Sequence, residues 1–183
     1  IGQKGIPAKL GGVERHVEEL AVRLAQRGNR VFAYVRNNYT DKNIKEYKGV
    51  VLIHLPSVSS KHLDAITHTL FSTIHALFQR YDVIHYQAIG PSFFCWIVKL
   101  FRPKVSLVAT YHCMDYYHKK WGRFARAWLR LGEYITCKVP DKTVAVSHTL
   151  GQFIWEKFGR KCLVIPNGFS VEPSSNAHEL YRW

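Results

Sequence analysis

Val105-Ser106-Leu107-Val108-Ala109-Thr110 is the middle member of three short apolar runs, preceded by Tyr81-Asp82-Val83-Ile84-His85-Tyr86 and followed by Lys142-Thr143-Val144-Ala145-Val146. Each run has strand length and is rich in β-branched residues. Longer stretches of helical period separate the three. Short apolar runs alternating with helices are the pattern of a parallel sheet built from strand-helix-strand units, so the fold class is α/β.

The same alternation extends outward in both directions. Towards the amino end, strands are expected at about 30–35 and 50–55, the second closed by Pro56, with a polar loop between them and a helix over 61–79. Before them, Val13, Val17, Leu20, Ala21 and Leu24 recur at helical spacing. Glu14, Glu18 and Glu19 lie early in that helix, Arg23 and Arg27 late, and Gly28 stops it, an arrangement that complements the helix dipole at both ends. Between the anchor strands a helix over 92–101 should end before Pro103. Further on, helices are expected over 119–138 and 147–158, with a last strand over 162–165 and a turn at Pro166-Asn167-Gly168.

A chain of 183 residues with 47% hydrophobic content suffices for one well-buried core. We assign residues 1–170 to one domain, with Ile1-Gly2 read as the last step of a strand whose earlier residues are missing. Residues 171–183 are polar and unpatterned, and are read as a linker or the start of a further domain.

Lys and Arg number 26 against 13 Asp and Glu, giving a net charge of +13. That balance favours anionic partners: phosphates, acidic lipid surfaces or nucleic acid. Nucleic acid is the least supported, because no zinc-knuckle spacing, RNA-recognition motif or basic tail is present. The four cysteines, Cys95, Cys113, Cys137 and Cys162, lack the paired short spacing of a zinc site or redox dithiol. No apolar run approaches the roughly 20 residues of a membrane-spanning helix.

In open parallel sheets, ligands bind beyond the carboxyl ends of the strands. The loop Gln3 to Gly12 runs straight into the first helix, and a glycine pair at a helix start leaves backbone N–H groups open to a phosphate. Gly11 and Gly12 therefore make either a bare turn or an anion seat. The sequence matches neither the dinucleotide fingerprint nor the P-loop. A second loop, Thr110-Tyr111-His112-Cys113-Met114-Asp115, leaves the strand at 105–110, and a histidine there can donate to a substrate oxygen or position a hydroxyl. His85 and His148 also follow strands and are weaker rivals. His112 and His118 lack a third ligand for a metal. On the helix from Lys119, the residues Lys119, Arg123, Arg126 and Arg130 share one stripe, with Trp121, Phe124, Ala125, Trp128 and Leu131 opposite. The stripe is either a solvated surface or a contact for anionic headgroups or a lipid-linked phosphate.

Ile1-Gly2-Gln3-Lys4-Gly5-Ile6-Pro7-Ala8 with Gly11-Gly12-Val13-Glu14 resembles the opening of bacterial glycosyltransferase family 4 enzymes of polysaccharide assembly. So do Tyr81-Asp82-Val83-Ile84-His85, Thr110-Tyr111-His112, Lys120-Trp121-Gly122-Arg123-Phe124-Ala125, Ala145-Val146-Ser147 and Ile165-Pro166-Asn167-Gly168. The matches keep their order along nearly the whole chain.

The resemblance implies a Rossmann-like three-layer domain with a mostly parallel sheet, the amino-terminal half of a GT-B architecture. It further implies a retaining hexosyl transfer from a nucleotide diphosphate sugar, with no metal and no separate cofactor. By the same resemblance Gly11 and Gly12 lie at the donor pyrophosphate and His112 beside the reacting sugar, with Asp115 and Asn167 as supporting matches. The acceptor, often lipid-linked, would be held by this domain on the cytoplasmic face of the membrane. Relatives commonly carry glycine where this chain has Cys113, a position where cysteine reaches glycine's backbone angles only with strain. The donor-binding half would follow Asn167-Gly168, and this chain alone is expected to have little or no transferase activity. A nucleotide-sugar epimerase of the same architecture and a non-catalytic anion-binding domain are the competing readings.

Overall fold

The computed structural model describes residues 1–58, 60, 63–117 and 121–168. The linker expected at 171–183, and Lys119, lie outside them. Among the described residues the strands are β1 (Val31–Arg36), β2 (Glu46–Tyr47), β3 (Val50–Leu55), β4 (Val83–Gln87), β5 (Ser106–Tyr111), β6 (Lys142–Ala145) and β7 (Leu163–Val164). The helices are α1 (Gly12–Gln26), α2 (Leu63–Leu77), α3 (Ile89–Ser92), α4 (Cys95–Phe101), α5 (Arg123–Lys138) and α6 (His148–Phe158), with a 3-10 turn at Asp115–Tyr117.

The strands form a three-stranded group ordered β1-β3-β2 and a four-stranded parallel group ordered β4-β5-β6-β7. β1 runs parallel to β3, and the short β2 is antiparallel to it. The fold is α/β with a parallel four-stranded sheet alternating with helices, as the sequence pattern requires. Residues 1–4 lie between the two groups. The Ile1 amine donates to the His85 carbonyl at 2.8 Å and the Ile1 carbonyl accepts from Gln87 N–H at 2.8 Å, while Lys4 carbonyl accepts from Arg36 N–H at 2.9 Å.

Side-chain alternation along the strands divides the core into layers. Ala33, Val35, Val50 and Leu52 pack with Val17 and Ala21 of α1 on one face. Tyr34, on the opposite parity, joins Ile84, Tyr86, Leu107 and Ala109 against Ala76 of α2 and Cys95 and Val98 of α4. A third cluster holds Tyr111, Tyr116, Leu129 and Ala145 against Ile154 of α6.

Three local readings are corrected by the structure. The polar loop before β3 contains β2, two residues that the sequence pattern does not mark. The helix expected over 92–101 starts only at Cys95, and a separate short helix, α3, precedes it at Ile89–Ser92; the Phe93 and Phe94 rings between them pack on Trp128, with centroids 3.9 and 5.6 Å away. The inner stripe of α5 is Leu129, Gly132, Glu133 and Thr136, whereas Phe124 (81% exposed) and Leu131 (50% exposed) face outward. Hydropathy alone hides that stripe, since its polar members are satisfied internally. Gly132 admits α5 onto α3, because a Cβ there would collide with the Ile89 carbonyl oxygen.

Candidate functional site

The carboxyl ends of β4 and β5 and the start of α1 converge on one crevice. His85 and Gln87 of β4 share a parity opposite to the buried Ile84 and Tyr86, and Thr110 and His112 share theirs opposite to Tyr111. Polar side chains consequently line up on the α1 face. His85 Nε2 pairs with Thr110 Oγ1 at 2.7 Å, and one step further His112 Nε2 pairs with Gln87 Oε1 at 2.9 Å. From the opposite wall His16, one turn into α1, meets the His112 ring edge-to-face at a centroid distance of 5.2 Å.

His112 is 8% exposed. Burial, with a smaller repulsion from His16, lowers its pKa to about 4. The ring is therefore neutral at physiological pH. An amide oxygen can only accept, so Nε2 carries the proton and Nδ1 is left as an acceptor. Burial holds His85 lower still, at about 3, and lowers His16 in the same direction. The arrangement offers an uncharged imidazole of fixed tautomer, suited to accepting a hydrogen bond from a hydroxyl.

The loop bearing His112 is anchored from beneath. Tyr111 and Tyr116, on either side of it, both donate to Glu133 Oε1, at 2.5 and 3.0 Å. Lys157 of α6 donates to Glu133 Oε2 at 2.8 Å, and Arg130 stacks over the Tyr116 ring at 5.6 Å. Glu133 is 1% exposed. Burial first, and then the carboxylate itself, push both tyrosine pKa values well up, so the hydroxyls stay protonated donors. Asp115 accepts from Cys113 Sγ at 3.2 Å within the loop. Cys113 carries no left-handed strain: among the described non-glycine residues, positive φ occurs only at Lys48 and Ala88.

The glycine pair is different. Gly11 has φ +103°, and a Cβ there would run into the Glu14 carboxylate. Gly12 is exposed, a Cβ there would meet nothing, and no N-cap side chain caps the helix start. No N-cap side chain occupies the dipole's positive end, and the Glu14 carboxylate lies beside it at Gly11.

Of the residues singled out from sequence, Gly11, Gly12, His112 and Asp115 lie on the loops that border this crevice. Asn167 is exposed just past β7, two strands beyond β5. His148 is exposed at the start of α6. Arg123, Arg126 and Arg130 are exposed along α5, beside the outward Phe124 and Leu131. His118 and Lys119 lie outside the described residues. Sequence reasoning missed His16 and Gln87, although a polar residue one turn after the glycine pair and another closing an apolar strand were available signals. It also missed Ala88, at φ 69° and ψ 157°, a region nearly restricted to glycine. Among the described residues no three His, Cys, Asp or Glu side chains form a metal-binding group, and no helix is long and apolar enough to cross a membrane.

A search of curated proteins returns no match to this chain. The family model for Glycosyltransferase Family 4 matches residues 10–173, a span that contains α1, every strand and the His112 loop. A match of that extent, on a fold with this alternation and this crevice, places the chain in glycosyltransferase family 4.

Proposed function

We propose that this chain is the acceptor-side domain of a retaining transferase that moves a hexose from a nucleotide diphosphate sugar to a hydroxyl of a glycan acceptor.

 The acceptor is lipid-linked in this reading. What supports it is the meeting, through His16 and His112, of an uncapped helix start and a neutral imidazole in one crevice at the strand ends.

In this mechanism the diphosphate leaving group gathers negative charge, and the open N–H groups at Gly11 and Gly12 are oriented in advance to receive it. His112 Nδ1 accepts a hydrogen bond from a sugar hydroxyl while Gln87 holds the ring, and Asp115 supports the loop. Ribose and sugar contacts would come from a second domain following Gly168, so the chain alone turns over little donor. Asn167, exposed at that end, belongs to the junction rather than to the crevice. The basic stripe Arg123, Arg126 and Arg130, with Lys119, would rest on anionic lipid at the cytoplasmic face of the membrane. The exposed Phe124 and Leu131 beside it favour this over a purely solvated surface, since apolar side chains flanked by arginines suit a headgroup boundary.

The test is transfer of labelled sugar from a nucleotide sugar into a membrane lipid extract, using the protein joined to its donor-binding domain. His112→Ala should abolish most turnover, and unchanged turnover would remove His112 from the reaction. An epimerase would convert the nucleotide sugar without any lipid extract present.

A further inference from the structure

α1 carries three glutamates on its first two turns, and two of them are engaged. Glu18 accepts from the Ala8 N–H and the Tyr47 hydroxyl, and Glu19 pairs with Arg15 and Arg23. Glu14 is 7% exposed, yet its carboxylate has no hydrogen-bond or ion-pair partner among the described residues. A buried carboxylate in that condition is costly, and its place needs a physical reason.

That place is the start of the helix. Gly11 is the N-cap residue and Glu14 the third helical position, from which a glutamate side chain reaches back towards the N-cap. A serine or aspartate at the N-cap would complete such a start, as Ser147 does for α6, but Gly11 brings no side chain. The Glu14 carboxylate instead fills the space that a Cβ on Gly11 would take, whereas a Cβ on Gly12 would meet nothing. Both glycines are exposed. One side of the helix start is therefore held by the protein's own anion, and the other is open to solvent. The positive end of the dipole stabilises a negative group there, and a second one brought beside the first is repelled by it.

We propose that Glu14 is the resident anion of the diphosphate seat, a carboxylate that holds the α1 start until a diphosphate binds and displaces it. The inference rests on the reading of Gly11 and Gly12 as that seat. Exchange turns the Glu14 side chain out past the two exposed glycines into water, where a carboxylate needs no protein partner. Glu14 then selects which anions enter. A singly charged anion gains little by replacing a carboxylate of equal charge, whereas a diphosphate brings more charge and more acceptor oxygens to the same N–H groups. In this role Glu14 positions and selects, and it does not touch the reacting sugar.

The experiment titrates pyrophosphate into the chain and into Glu14→Gln, following the Gly12 amide by NMR. Glutamine keeps the length of the side chain and can still reach back to the N-cap, so a plain capping role predicts equal affinity in the two proteins. Displacement of a charge predicts that Glu14→Gln binds pyrophosphate more tightly, by about threefold or more, the effect expected of one charge at a helix terminus. Equal or weaker binding by the variant, with Gly12 moving in both proteins, leaves the seat standing and overturns the part given to Glu14. A Gly12 amide that moves in neither protein overturns the seat, and this inference with it. Should Glu14→Gln fail to fold, the unaltered chain decides. Its Glu14 side-chain carboxyl carbon is expected to shift along the Gly12 saturation curve, and a carboxyl that stays silent while Gly12 moves overturns the proposal.

Discussion

The two loops that border the crevice are built in opposite ways. The loop from Tyr111 to Tyr117 is tied to a buried carboxylate by two tyrosines, and that carboxylate is tied to Lys157 on another helix. The loop into α1 ends in two exposed glycines with no side-chain cap. The first arrangement fixes an imidazole, and the second leaves N–H groups for something from outside. α6 sharpens the contrast, because its start is capped by Ser147 accepting from Leu150 N–H at 3.2 Å. The starts of α3, α4 and α5 also lack a side-chain cap, so it is the position of the α1 start beside His112, and not the missing cap alone, that sets it apart.

The comparison breaks most easily at Glu133. Glu133→Ala leaves Lys157 and two buried hydroxyls without their acceptor, and should cost about 3–5 kcal/mol of stability in chemical denaturation. Glu133→Gln, which keeps an acceptor oxygen, should cost less. Equal losses would show that packing, and not the clamp, holds the loop.

Gly11→Ala comes next. It meets both an unfavourable φ and the Glu14 carboxylate, and should destabilise by about 1–3 kcal/mol. Adding Glu14→Ala should return only the part due to the collision. Removing the α6 cap with Ser147→Ala should cost about 1 kcal/mol. Ala88→Gly should act in the other direction, gaining up to about 1 kcal/mol once the greater freedom of the unfolded chain is offset against the relieved strain.

A separate effect is on pH. His112 and His85 have folded pKa values of about 4 and about 3, below the ordinary 6.5. The unfolded chain therefore binds protons first as pH falls, so the stability contributed by the neutral rings is complete above pH 6.5 and declines from there towards pH 4 and below. Thermal unfolding at pH 7 and pH 5 should differ in that direction, and His112→Gln should reduce the difference.

The strand-helix alternation was legible because buried parallel strands are apolar along most of their length, as Leu107 to Ala109 are. The glycine pair and His112 were legible for a related reason: both sit where strand or loop gives way to the next element. Other features depend on partners distant in sequence. Glu133 reads as a surface carboxylate on a charged helix until Tyr111 and Tyr116 fold over it, and the outward turn of Phe124 and Leu131 follows from Gly132 meeting Ile89. Ala88 carries no mark of its φ in its side chain.

The account rests on the glycine start of α1 and the His112 ring facing the same space. Titration with inorganic pyrophosphate, followed by NMR on the Gly12 amide and the His112 ring together, tests this most directly. Both signals are expected to move along one saturation curve. Movement of the Gly12 amide with a silent imidazole would contradict it.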